Sequence, residues 1–67
     1  MPKRWSTTEV ERILVRNGFS LVSQKGSHRK YVSNGRVVIV PAGRKEIRPG
    51  TFSSILRQSG LDISAFE

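Results

Sequence analysis

The dipeptide Asn34-Gly35 constrains this chain more than any other feature of its sequence. Asn and Gly tolerate two successive residues with positive φ, as a two-residue type I′ turn demands, and that turn twists in the sense of the strands it joins. His28 to Ser33 on one side and Arg36 to Val40 on the other carry Tyr, Val and Ile, residue types suited to a pleated strand. The stretch from His28 to Val40 therefore predicts an antiparallel hairpin. Pro41 cannot donate to a ladder, so the second arm stops there and Ala42 to Arg48 reads as a polar, basic loop. Side chains alternate along a strand, so if Tyr31 faces the core, His28 and Lys30 point together to the other side. The ring of Tyr31 gains from burial and the amine of Lys30 does not, which favours that parity.

The flanks supply two helices and one more strand. Ser6 followed three residues later by Glu9 has the form of a capping box, in which each side chain satisfies a backbone donor at a helix start. Val10, Ile13 and Leu14 then fall on one helical face, and Asn17-Gly18 ends the run. Phe19 to Ser23 alternates, with Phe19 and Leu21 on one side, and predicts a first strand that Gly26 interrupts. Pro49, Gly50 and Thr51 open a second amphipathic helix through Phe52, Ile55 and Leu56, closed by Ser59-Gly60. Asp62 is placed to cap a last turn holding Ile63 and Phe66. The predicted class is α+β, in the order α-β-β-β-α. Its sense is a three-stranded antiparallel sheet with both helices on one face and the other face open.

A chain of 67 residues supports one domain over 1–67 and no linker. A core this small rarely supplies more than about 3–5 kcal/mol without a disulfide, a metal or a partner. There is no cysteine, which removes disulfides, thiolate nucleophiles and structural zinc, so a partner subunit is the physical expectation. No apolar run approaches a membrane span or a secretory signal, and a cytoplasmic protein is expected.

Twelve Lys and Arg against five acids give a net charge of +7, and the excess is concentrated. Between Gln24 and Arg48 stand Lys25, Arg29, Lys30, Arg36, Arg44, Lys45 and Arg48 against only Glu46. Such density attracts polyanions through counterion release. His28 sits inside it, following Lys25, Gly26 and Ser27 and preceding Arg29 and Lys30. Imidazole takes and gives protons near neutral pH, and cleaving RNA needs a proton removed from the ribose 2′-hydroxyl or given to the departing 5′-oxygen. Positive neighbours offset charge that gathers on the phosphorane. From the pattern alone His28 is equally a surface imidazole touching phosphate, and Gly26 equally a bulge or turn residue or room for a backbone to approach RNA. The acids are not clustered for magnesium, no glycine-rich phosphate loop precedes a helix, and no serine hydrolase order is present. The expected cofactor is none.

Gly18-Phe19, Lys25-Gly26-Ser27-His28 with Tyr31, Val38-Ile39-Val40-Pro41, Pro49-Gly50-Thr51, Ile55-Leu56-Arg57-Gln58 and Gly60-Leu61 stand in one order in a small basic chain. Together, over roughly Val10 to Leu61, they resemble the HicA mRNA interferase toxins that pair with HicB antitoxins. The resemblance implies the fold of double-stranded RNA-binding domains, ribosome-independent cleavage of mRNA that blocks translation, and a HicB-type partner covering the catalytic histidine. That histidine falls on His28. One departure stands out: many such toxins carry a second histidine shortly after the proline ending the third strand, where this chain has Ala42 and Gly43. His28 then works alone beside Lys or Arg, or activity is slower. The expected function is a metal-independent mRNA endoribonuclease toxin in which His28 transfers the proton. Lys25, Arg29 and Lys30 hold phosphates, and Gly26 and Ser27 lie against the RNA. The alternatives are a non-catalytic double-stranded RNA-binding module and a structural protein whose basic face docks on an acidic partner. The module reading is weakened because only Arg48 stands at the start of the last helix.

Overall fold

The structure, a computed structural model, describes residues 4–67. Helix α1 (Thr7–Arg16) is followed by strands β1 (Ser20–Lys25), β2 (His28–Ser33) and β3 (Arg36–Pro41), then helix α2 (Pro49–Ser59) and a short 3₁₀ turn (Ile63–Phe66). The capping box closes as its residue types dictate: the Glu9 amide donates to Ser6 Oγ at 3.1 Å and the Ser6 amide to Glu9 Oε1 at 3.0 Å. Asn34 and Gly35 both take positive φ, and residues 33 and 36 pair across the turn, so the hairpin has the predicted register.

The three strands form one antiparallel sheet in the order β1-β2-β3. Tyr31, Val38 and Val40 point to one face and pack with Val10, Ile13 and Leu14 of α1 and Ile55 of α2, so both helices cover that face. The opposite face stays open and carries Val37 and Ile39 of β3 with His28 and Lys30 of β2. The α-β-β-β-α class and the layering expected from sequence are those observed. No helix among the described residues is long and apolar enough to cross a membrane.

Two local expectations need correction. Strand β1 begins one residue later and runs two residues further than the alternation suggested, and Gly26 with Ser27 is the two-residue turn of a second hairpin rather than a break in a strand. Leu21, opposite Tyr31, keeps the side it shares with Phe19, but on this exposed edge strand it is 44% exposed while Phe19 is 4% exposed. A β-bulge follows it: Leu21 pairs with Tyr31 and Ser23 with Lys30, leaving Val22 without an opposite residue. Finally, Ile47 is buried and its amide donates to the Trp5 carbonyl at 2.7 Å, so the segment after β3 is pinned into the core rather than polar throughout.

Three hydrogen bonds hold the end of the sheet where His28 lies. The Ala42 amide donates to the Ser27 carbonyl at 2.7 Å, locking the β1-β2 turn to the chain leaving β3. Thr7, a buried polar residue at the start of α1, donates its hydroxyl to the Pro41 carbonyl at 2.6 Å and accepts the Arg44 amide at 2.9 Å. Below, Trp5, Phe52 and Phe66 form an aromatic cluster, with ring centroids 5.2 Å apart for Phe52 and Phe66 in an edge-to-face contact.

Candidate nucleic-acid-cleaving site

Cross-strand partners in an antiparallel sheet share a face, with Cβ atoms about 4.5–5.5 Å apart. Two rows of such partners build the open face around the histidine. One row is Lys25, His28 and Pro41; the next is Ser23, Lys30 and Ile39. Lys25, Ser23, His28, Lys30 and Ile39 line a single open cleft of about 500 Å³. Among the described residues no carboxylate pairs with Lys25, His28 or Lys30. The imidazole thus stands exposed, with one ammonium group across the strand pair and another two residues along its own strand.

The turn explains how Lys25 comes to be there. Gly26 has φ +59, a conformation that L side chains rarely adopt, and a two-residue connection places Lys25 directly opposite His28. Counting back from Lys25 with strict alternation would put Phe19 on the same open face. The extra residue Val22 changes the parity, so Phe19 enters the core while Ser23 and Lys25 remain beside His28. Ser27 occupies the turn itself, and its carbonyl is held by Ala42.

Of the residues expected at the site, Lys25, His28 and Lys30 are brought together, and Gly26 and Ser27 form the adjoining turn. Arg29 is not. It lies on the helix-covered face, where its Nη1 donates to Glu11 Oε1 at 3.2 Å and its Nε lies 3.2 Å from Glu11 Oε2. Glu11 also accepts the Tyr31 hydroxyl at 2.6 Å. The alternation that exposes His28 and Lys30 is enough to turn Arg29 inward. Burial, then the hydrogen bond and charge of Glu11, push the Tyr31 hydroxyl up to about 12, with Arg29 opposing. Ser23 and Ile39 are cleft residues that sequence reasoning passed over. Ile39 was legible, because the Asn34-Gly35 turn sets it opposite Lys30; Ser23 was not, because its place depends on the bulge.

Among the described residues no three of His, Cys, Asp and Glu gather as a cation site. Residues 7–61 match the family described as HicA toxin of bacterial toxin-antitoxin. The chain belongs to the HicA toxin family. No curated protein matches it closely enough to count as a relative. The stretch matching the HicA family runs from the first residue of α1 to just past α2, so it contains every residue of the cleft. This HicA-family chain is therefore a toxin of a toxin–antitoxin system.

Proposed function

We propose that this toxin is an mRNA endoribonuclease in which His28 transfers a proton at the scissile phosphodiester. The observation that carries the reading is the cleft itself: one exposed imidazole between two unpaired ammonium groups, on a toxin scaffold with a net charge of +7. Phosphodiester oxygens are attracted by Lys25 and Lys30. With the chain so held, the ribose 2′-oxygen attacks phosphorus, its proton leaves, and the bond to the 5′-oxygen breaks as that oxygen gains a proton. His28 carries one of these two transfers and water in the open cleft carries the other. The ammonium groups offset the charge that builds on the non-bridging oxygens. Gly26 adds no side chain at the turn, so RNA backbone reaches Ser27 and the start of β2 unobstructed. Nothing in this scheme requires a cofactor.

A HicB-type antitoxin is the protein partner in this reading. Val37 and Ile39 are exposed on the sheet face that carries the cleft, a mixed apolar and basic surface that an acidic partner with apolar contacts would cover together with His28. The toxin then acts in the cytoplasm, where mRNA is.

Purified protein and its His28→Ala variant, incubated at equal concentration with labelled single-stranded RNA in EDTA, test the proposal. The expected result is cleavage by the wild type that the variant loses while still binding RNA; general acid–base help from one group is worth about 10²–10⁴-fold. Binding without cleavage in both proteins would overturn the enzymatic reading in favour of a non-catalytic RNA-binding module.

A further inference from the structure

A second basic cleft lies outside the one just described. Arg44, Arg48 and Thr51 line a concavity of about 280 Å³ where the chain passes from β3 into α2. Arg44 and Arg48 have exposed side chains, and no carboxylate among the described residues pairs with either. Two guanidinium groups on one concavity repel each other unless an anion lies between them. Guanidinium forks match phosphate oxygens, and the Thr51 hydroxyl adds a donor of the right kind.

The position of this cleft is set by rigid backbone. Both the Arg44 amide and carbonyl are tied to Thr7, at 2.9 Å each, so the residue does not drift with its loop. Pro41 stands directly across from His28, and Arg44 follows it by three residues. At no more than about 3.6 Å of chain per residue, the second cleft lies within a few nucleotides' reach of the first. Arg44 also follows by two residues Ala42, whose amide holds the Ser27 carbonyl in the turn before His28.

We infer that the Arg44–Arg48–Thr51 cleft holds a backbone phosphate of the same RNA strand whose scissile bond lies at His28. This rests on the reading of the toxin as acting on RNA. It assigns to the corner between β3 and α2 the work of orienting the strand, since a phosphate held at each of two clefts defines a direction across the sheet end that one cleft alone does not. It also offers a grip for a chain that lacks the second histidine after Pro41.

The test uses the His28→Ala protein, so that RNA survives, with a labelled single-stranded RNA of about twelve nucleotides. Affinity is measured by fluorescence anisotropy across a salt series. Replacing both arginines (Arg44→Gln with Arg48→Gln) is expected to weaken binding roughly tenfold. The slope of log affinity against log salt should also flatten by about 0.7, the share of one single-strand phosphate. The charge-keeping pair Arg44→Lys with Arg48→Lys should retain the slope, and Arg57→Gln at the far end of α2 should change nothing. On the parent protein, with no further substitution, RNA should shift the amide resonances of Arg44 and Thr51. Unchanged slope and affinity in the glutamine pair, with Lys25→Gln and Lys30→Gln still weakening binding, would overturn this inference and leave the His28 cleft standing. No RNA binding by any of these proteins would overturn both.

Discussion

Glu11 shows how much one side chain decides about the exposed face without reaching it. Its carboxylate takes the Tyr31 hydroxyl and the Arg29 guanidinium together, two residues on the covered side of β2. A slip of β2 by one residue would bury His28 and Lys30 and break both contacts, so the pair of bonds holds the parity that exposes the histidine. The Tyr31 hydroxyl, pushed up to about 12 from its ordinary 10.0, favours the protonated form in the fold. Its contribution to stability is complete below pH 10 and is lost as pH rises through about 12. Tyr31→Phe should be less stable than wild type at neutral pH by about 1–2 kcal/mol. The gap between the two proteins should narrow from pH 10 to 12, as read by denaturant unfolding at each pH. A gap that stays constant over that window would show that the hydroxyl is not ionising in place.

Strand β1 is the element whose irregularity matters. It is an edge strand, exposed along its length, and its bulge settles a conflict between its two ends. Phe19 belongs in the core, worth about 1.5–3 kcal/mol when fully buried. Lys25 belongs outside, opposite His28, because the two-residue turn leaves it nowhere else. A regular strand cannot satisfy both, as residues 19 and 25 would share a face. Deleting Val22 should therefore lower the thermal midpoint and weaken RNA binding together. Val22→Thr, which keeps the residue count and the exposure, should leave both near wild type. Equal behaviour of the deletion and the parent would mean that the strand re-registers without cost. The other edge is handled differently: Gln58 of α2 accepts the outward-pointing Ile39 amide at 3.0 Å, so β3 is closed by a helix and β1 by its bulge and lysine.

At the scale of the whole molecule, Thr7 joins the parts. It is placed by the capping box at the first turn of α1, and its hydroxyl spans Pro41 and Arg44, the exit of β3 and the start of the second basic cleft. Thr7→Val keeps the volume but strands a carbonyl and an amide, at a cost of about 1–3 kcal/mol. In a domain of this size each kcal/mol moves the thermal midpoint by roughly 4–8 °C. A midpoint lowered by at least about 4 °C in calorimetry is expected; an unchanged midpoint would mean that water replaces both bonds. Because the same change loosens Arg44, its effect on RNA affinity should exceed that of Thr8→Val, an exposed neighbour on α1.

The α-β-β-β-α order, the capping box of α1, the Asn34-Gly35 hairpin and the exposure of His28 and Lys30 were all determined by the sequence, because each rests on contacts a few residues apart. Capping boxes, type I′ turns and two-residue alternation are local physics, and the match to the HicA family adds no element to them. Tertiary structure alone decided the rest. The bulge at Val22 exists because a buried Phe19 and a turn-fixed Lys25 make opposite demands. Alternation alone turns Arg29 away from His28 and Lys30; what only the closed chain supplied is its partner, Glu11, eighteen residues earlier. Ile47, Thr7 and the Arg44–Arg48 cleft became visible only once the chain closed on itself, because their partners lie in segments that no periodicity connects.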